Sequence, residues 1–187
     1  MTHLMKPGST IHVHGHDGLA SLILGAAHGR TEVIKLLIEH GANVNSHSQD
    51  GETALMVAAS WGNTQAVECL IDNGAEVNVQ SQHGRTALME AASNGHVREV
   101  ETLIQKGADV NLQDEEGQTA LMKAASRGQA EVVKPLIMAY ANGSLKNEMG
   151  QTALSVAAAH GHEHVVQLLQ DASSGNRSRH AIRRILY

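Results

Sequence analysis

Aromatic residues are nearly missing from this chain, whose 187 residues include one Trp, two Tyr and no Phe. Hydrophobic residues nevertheless make up 42% of the chain, a share typical of a globular protein. The interior must therefore be built from aliphatic side chains, mainly Leu, Ile, Val and Ala. The same scarcity excludes a platform of stacked aromatic rings for binding single-stranded nucleic acid.

Cysteine and long apolar runs are also scarce. Cys69 is the only cysteine, which excludes an internal disulfide and a metal cluster held by thiolates, and agrees with a reducing compartment. No stretch approaches the roughly 20 apolar residues of a membrane-spanning helix. The amino-terminal MTHLMKPGST lacks the continuous apolar segment of a secretory signal. We therefore expect an intracellular protein of the cytoplasm or the nucleus.

Acidic residues are absent from the end of the chain. Residues 1–171 hold all 19 acidic residues and 10 of the 14 Lys and Arg, whereas residues 172–187 hold four Arg and no acid. We expect the acidic body to repel nucleic acid. The tail starts as a Ser/Gly linker. Two interpretations of the rest stay open: a short basic helix for an acidic partner or membrane surface, or a disordered end.

What the chain does contain is a repeat with a period of 33 residues. Glycines mark it in three series: Gly18, Gly51, Gly84, Gly117 and Gly150; Gly29, Gly62, Gly95, Gly128 and Gly161; and Gly41, Gly74 and Gly107. A fixed period of this length is typical of stacked units of supersecondary structure. The predicted organisation is a lead segment at 1–14, five repeats at 15–47, 48–80, 81–113, 114–146 and 147–171, and a basic tail at 172–187.

Each unit contains two segments with the apolar spacing of a helix. In unit two the first segment places Leu55, Ala58 and Ala59 on one face, and the second does the same with Val67 and Leu70. Helices of about ten residues are not stable alone in water, so the units must stack. The stretches GANVN, GAEVN and GADVN follow the second segment and predict a helix end and then an extended turn, whose tip lies near the next glycine.

These patterns resemble the ankyrin repeat family, through G-x-T-A-L-x-x-A-A-x-x-G and L-I-x-x-G-A-x-V-N. The resemblance covers about residues 15–171. It implies an all-α ankyrin-repeat solenoid of stacked helix–turn–helix units, with protruding hairpin-like loops and a concave groove. It also implies a protein–protein interaction module that acts as a scaffold or adaptor and binds a partner protein or peptide. We expect no enzyme activity, no cofactor and a monomer.

The chain departs from the family pattern in two ways. The usual T-P-L-H reads T-A-L-M, so the proline that presets the helix start is absent and a histidine is replaced by Met56, Met89 and Met122. A row of methionines suits either core packing or an adaptable binding surface. In unit four, Pro135 lies inside the second helix and Tyr140 replaces a glycine. We predict that the array bends at this unit, which should exchange its amide hydrogens fastest.

The positions that vary between units are predicted to bind the partner. They lie at the turn tips, just inside the turns and at the ends of the first helices: Asp50, Glu52, Trp61, His83, Arg85, Asn94, Glu116, Gln118, Arg127, Met149 and His160. Large aromatic side chains among charged neighbours are common anchors of protein interfaces, so Trp61 is the predicted anchor. The alternative is that Trp61 lies flat on the neighbouring helix as part of the packing.

Histidine is plentiful, with 13 residues, and suggests metal or small-ligand binding as an alternative function. Two clusters stand out, at His12, His14, His16, His160, His162 and His164. However, ankyrin units commonly carry histidine where His96 and His162 stand, and no cysteine or carboxylate completes a tetrahedral set, so no metal ligand is predicted. No phosphate-binding loop, GxSxG or HExxH motif occurs, so no catalytic residue is predicted either.

The resemblance also implies a modification. Some ankyrin domains are hydroxylated at turn asparagines that follow a leucine by eight residues. The same spacing separates Leu37 from Asn45 and recurs in the next two units. The predicted hydroxylation sites are Asn45, Asn78 and Asn111.

Overall fold

The computed structural model describes residues 16–175, which contain ten helices. In chain order they are α1 His16–Ala27, α2 Thr31–Glu39, α3 Ala54–Ser60, α4 Thr64–Asp72, α5 Ala87–Asn94, α6 Val97–Gln105, α7 Ala120–Ser126, α8 Ala130–Met138, α9 Ala153–Ala159 and α10 Glu163–Gly175. The only strand-like pairing in this range is an isolated bridge between His47 and Thr53. No helix in the described range is long and apolar enough to cross a membrane. The predicted all-α fold is confirmed.

A threonine starts each first helix of units two to five. The side chain of Thr86 accepts the amide of Met89 at 3.2 Å, and Thr119 accepts the amide of Met122 at the same distance. The equivalent caps in the other two units are Thr53 and Thr152. A side-chain cap of this kind satisfies one of the free amides at the helix start. Threonine capping therefore starts these helices without the proline of the family pattern.

The helices form two layers. The first helices pack on one another in the order α1, α3, α5, α7 and α9, the second helices in the order α2, α4, α6, α8 and α10, and each pair packs together across the layers. Residues from both layers fill the space between them and are fully buried or nearly so: Leu22, Leu55, Leu88 and Leu121 with Ile34, Val67, Val100 and Val133. Met56, Met89 and Met122 are also buried, at 4% exposure or less, so the methionine row belongs to the core.

Each unit covers the next one along the stack. Val132 in α8 is 1% exposed because α6 packs against its helix, whereas the equivalent Val33 in α2 is 40% exposed. No described helix precedes α2 in the second layer. Burial at this position therefore depends on the neighbouring unit and not on the residue type, as in other repeat arrays.

The ends of the described range differ from the sequence predictions. Helix α1 begins at His16 and includes Gly18, so the turn predicted there is wrong. In later units a side chain closes this turn, and the equivalent residue of unit one, Gly15, has none. At the other end, α10 continues to Gly175 across the predicted boundary at 171, so the Ser/Gly linker is helical up to that residue. The lead segment and the rest of the tail lie outside the described residues.

Pro135 does not break α8. The helix has nine residues, as have α2, α4 and α6, and the carbonyl of Pro135 still accepts the amide of Ala139 at 2.9 Å. Proline removes one backbone donor, but fully buried Val133 and Leu136 hold the helix against its neighbours. Just after α8, Tyr140 has a φ of +61°, in the left-handed region where units one to three have glycine.

Candidate protein-binding surface

The turn tips of units two to five form a hydrogen-bonded row. A backbone amide of each tip donates to a carbonyl of the tip before it: Gln82 to Asp50 at 2.9 Å, Glu115 to His83 at 3.1 Å, and Glu148 to Glu116 at 3.0 Å. The bonds recur at the period of the repeat. The variable side chains at the tips therefore lie side by side along one edge of the array.

Each tip is also closed within its own unit. The hydroxyl of Ser81 accepts the amide of Arg85 at 3.1 Å, and a carboxylate oxygen of Asp114 accepts the amide of Gln118 at 2.8 Å. At Gly84, where φ is +71°, an added Cβ would lie 2.8 Å from the Cα of Asp114 in the next tip. Because the tips approach so closely, this position requires glycine. The tips are thus fixed relative to one another.

The ends of the first helices carry a second row of variable side chains. Trp61 directly follows α3 and is 67% exposed, which excludes the alternative in which it lies flat as packing. Next to it, the amide nitrogen of Asn94 donates to the carbonyl of Ser60 at 3.2 Å, and a guanidinium nitrogen of Arg127 donates to the side-chain oxygen of Asn94 at 3.2 Å. Side chains of units two, three and four are thereby linked in sequence.

Two ion pairs lie below the turn tips. The Nε of Arg85 is 2.9 Å from a carboxylate oxygen of Glu90, although its N–H does not point at that oxygen, so the contact is an ion pair without a hydrogen bond. The Nζ of Lys123 is 2.7 Å from a carboxylate oxygen of Asp114. Glu90 is 13% exposed and Asp114 only 3%. The surface therefore contains two carboxylates that are largely withdrawn from water, each beside a cation.

The carboxyl group of Glu90 is shifted by its surroundings. Burial raises the pKa of Glu90 above its ordinary value, and the nearby carboxylate of Glu52 acts in the same direction. The guanidinium of Arg85 opposes them, with smaller contributions from Lys123 and Arg127. Burial outweighs these positive charges, so ionised Glu90 costs the folded protein free energy.

Two shallow pockets bring most of the predicted residues together. The acidic pocket is lined by Asp50, Glu52, Met56, Ser81, His83, Arg85 and Glu90. The basic pocket is lined by Arg85, Ser93, Gln118, Lys123, Ser126, Arg127, Asn147, Met149, Gln151, Val156 and His160. Trp61, Asn94 and Glu116 line neither pocket, but Asn94 binds Arg127 and Glu116 accepts a hydrogen bond from Gln118 at 2.7 Å. Trp61 is the one predicted residue that neither lines a pocket nor forms a side-chain hydrogen bond in the described residues.

A sequence model of ankyrin repeats matches the chain in three copies, over residues 2–81, 22–114 and 88–179. The chain belongs to the ankyrin repeat family. A comparison with curated proteins finds no match. Ankyrin repeats are in general protein–protein interaction modules on a non-enzymatic scaffold. The row of tips and the two pockets are thus the variable part of an ankyrin stack.

Two histidines of the ankyrin units connect neighbouring units. The Nε2 of His96 lies 3.0 Å from the carbonyl oxygen of Ser60, and the Nε2 of His162 lies 3.1 Å from that of Ser126. Because a carbonyl only accepts, Nε2 must carry the proton in both rings. The His96 ring also covers Gly62, where a Cβ would lie 2.7 Å from its Nδ1. Each of these histidines therefore links two neighbouring units.

The histidine clusters do not form a metal site in the part of the chain that the structure describes. Among residues 16–175 no group of three or more His, Cys, Asp and Glu side chains is placed to hold a metal ion. The rings of His160 and His162 stack, with centroids 6.1 Å apart, and Nδ1 of His160 lies 2.9 Å from the carbonyl oxygen of Val156. His12 and His14 lie outside the described residues. Neither the geometry nor the family match supports the alternative of metal or ligand binding.

The asparagines predicted to be hydroxylated join consecutive loops. The side chain of Asn78 donates to the carbonyl of Gly107 at 3.0 Å and accepts the amide of Asp109 at 2.8 Å. Asn45 makes the same two bonds to unit two, and Asn111 accepts the amide of Asn142 at 2.7 Å. Their position in the array is therefore structural, and hydroxylation at these sites stays a prediction.

Sequence reasoning missed three residues that form the buried charge pairs, namely Glu90, Lys123 and Asp114. A signal was available for two of them, because TALM in units two to four and TALS in unit five are followed in turn by Val57, Glu90, Lys123 and Val156. This position is apolar in units two and five and charged in units three and four, although the residues before it hardly change. Such a change identifies a position at the edge of the core, where a charge can be partly buried if a partner is close.

Proposed function

We propose that this chain is a scaffold or adaptor that binds a partner protein or peptide along the row of turn tips and the ends of the first helices. The hydrogen-bonded row of tips carries the proposal, because it aligns the variable side chains of four units on one edge. A surface fixed in this way loses little conformational entropy on binding. Exposed Trp61 would provide the apolar anchor at one end.

We propose no catalytic role for the same surface. Its buried carboxylates pair with cations on the protein itself, as Asp114 does with Lys123. The one thiol, Cys69, is buried, and burial raises its pKa, so the nucleophilic thiolate is disfavoured. We further propose that the protein is a monomer in the cytoplasm or the nucleus. We propose that it does not bind nucleic acid, since the repeat body is acidic.

The proposal is tested by affinity capture from cell lysate with the native chain and two variants, Trp61→Ala and Arg127→Glu, followed by quantitative mass spectrometry. Arg127 is chosen because it is exposed and its one side-chain hydrogen bond in the described residues is to Asn94, so the variant should fold. The control is Met138→Ala, which removes another exposed apolar side chain, from α8.

Some partners should be captured equally by the native chain and the Met138→Ala control. We expect the captured amount of these partners to be at least about tenfold lower on Trp61→Ala, since interface anchors contribute about 2 kcal/mol or more. Circular dichroism verifies that each variant is folded. Partners that are retained in full by both Trp61→Ala and Arg127→Glu would exclude this surface.

A further inference from the structure

We propose that the segment bound in the basic pocket is an extended acidic peptide whose carboxylate contacts Arg127. The inference rests on the proposed function, because it names the class of partner for the same surface. The basic pocket is lined by three permanent cations, Arg85, Lys123 and Arg127, and by no carboxylate. Such a lining is unusual in a chain that carries 19 acidic and 14 basic residues.

The three cations are not equivalent. Arg85 and Lys123 are each paired with a carboxylate beneath them, at 2.9 and 2.7 Å. The guanidinium of Arg127 instead donates to the neutral amide of Asn94, and no carboxylate of residues 16–175 forms an ion pair with it. Arg127 is exposed and keeps several N–H donors for a ligand. A carboxylate can accept two of them at once.

The surroundings of Arg127 favour a peptide over a polyanion. Glu115, Glu116 and Glu148 are exposed at the turn tips above the basic pocket. A nucleic acid brings a continuous row of phosphates, which these carboxylates repel. A peptide can place one or two acidic side chains at Arg127 and neutral residues elsewhere. Exposed Met149 lines the same pocket and offers an apolar contact next to the charge.

The position of the acidic pocket gives the peptide a direction. Asp50 and Glu52 lie in unit two, at the same end as Trp61, whereas Arg127 lies in unit four. Packed helices are 8–10 Å apart, so two units separate Trp61 from Arg127 by roughly 20 Å. An extended chain covers that distance in about six residues. The expected ligand has an apolar residue for Trp61, without an acid beside it, and an acidic residue about six positions away.

The test selects random peptides of about twelve residues, twice this span, on the immobilised full chain. Parallel selections use Arg127→Glu and the control Arg98→Glu, which makes the same charge change at an exposed arginine of α6. Sequencing then gives the enrichment of Asp and Glu in each selection. We expect enrichment on the native chain and on Arg98→Glu, and its loss on Arg127→Glu.

The best selected peptide is then labelled, and its binding is measured by fluorescence anisotropy beside a version with Gln in place of the enriched acid. We expect the acidic peptide to bind about tenfold more tightly, because a hydrogen-bonded charge pair is worth about 1.5 kcal/mol. Added salt should reduce this difference. A labelled oligothymidylate of about the same length should bind more weakly than the peptide.

Other results overturn the proposal in distinguishable ways. Selected peptides that lack acidic residues but bind Trp61→Ala more weakly than the native chain, in the same anisotropy assay, would leave the proposed function intact and exclude this partner class. Acidic peptides that bind Arg127→Glu as well as the native chain would exclude the basic pocket. If oligothymidylate bound more tightly than the peptide, the ligand of the basic pocket would be a nucleic acid and not an acidic peptide. If no peptide were selected at all, both the proposed acidic peptide and the proposed binding of peptides by this surface would be wrong.

Discussion

A few single residues place charged or polar side chains inside the stack or between its units. Glu90 and Asp114 are carboxylates withdrawn from water, and each is accepted because a cation lies within 3 Å. Asn78 and His96 are polar side chains between units, and their hydrogen bonds go to backbone groups of the neighbour. Such residues cost stability when their partner is removed, because the remaining polar group is left unsatisfied.

Glu90 makes stability depend on pH. Its pKa is raised in the folded state, so the folded state holds the proton more tightly and stability falls as pH rises above the usual value of about 4.3. Glu90→Gln cannot ionise. We expect the free energy of unfolding of this variant, relative to the native chain, to increase between about pH 4 and pH 7, as measured by urea unfolding. The exposed carboxylate of Glu101 supplies the control, Glu101→Gln, and the prediction fails if both variants show the same pH dependence.

Asn78→Ala should lower the free energy of unfolding by about 1–2 kcal/mol, since it removes a donor to Gly107 and an acceptor for Asp109. Asn111→Ala is the matched comparison, because Asn111 accepts one such bond, from Asn142. Chemical denaturation of both variants measures the difference. A loss for Asn111→Ala that equals or exceeds the loss for Asn78→Ala would show that these bridges do not carry the stability.

At the scale of the helix and its turn, the repeated motif is robust to changes that usually break it. Threonine capping replaces the missing proline at the helix start, and α8 keeps its length despite Pro135. The loop after α8 keeps the left-handed conformation of its equivalents although Tyr140 replaces glycine. Packing against neighbouring units imposes these conformations, because a short helix has little stability of its own.

The strain at Tyr140 leads to a prediction for this turn. A left-handed conformation costs a residue with a Cβ about 1–2 kcal/mol. Glycine avoids this cost but loses more chain entropy on folding. We therefore expect Tyr140→Gly to raise the free energy of unfolding by a net of about 0.5–1 kcal/mol in urea denaturation. Tyr140→Ala keeps the strain and removes a side chain that is 82% exposed, so it should change little. An equal increase in the free energy of unfolding of both variants would show that removal of the tyrosine ring, and not relief of backbone strain, is the cause.

At the scale of the whole molecule, stability is a sum of contacts between neighbouring units. In residues 16–175 the main contacts of each helix pair are with the pairs before and after it, so a weak unit can open without the unfolding of the entire array. Unit four combines a lost backbone donor at Pro135 with the strained Tyr140. It is the internal unit with two local defects.

Amide hydrogen exchange should therefore be fastest in unit four, over residues 129–146, and slower over the equivalent residues 96–113 of unit three. The physical reason is that a local opening costs less where the helix has lost a hydrogen bond. Mass spectrometry of peptides from both segments measures the rates. Equal protection of the two segments would show that packing of α8 compensates for the proline.

The sequence by itself determined the period, the pairing of helices within each unit, the turn positions after unit one and most of the buried residues. These features depend on local spacing and recur several times, so each unit supports the interpretation of the others. It also identified Arg85, Gln118 and Arg127 as variable positions that the structure brings to one pocket. Trp61 was correctly placed outside the core.

Only the tertiary structure decided which polar groups meet. His96 with Ser60 and Asn78 with Gly107 are 36 and 29 residues apart, and join neighbouring units. Their contact depends on how closely the units stack, which local spacing does not specify. The start of α1 was also visible only in the structure: the turns of units two to five are each closed by a side chain, at the position where unit one has Gly15. Local periodicity fixes what each unit is, and stacking fixes what its surface presents.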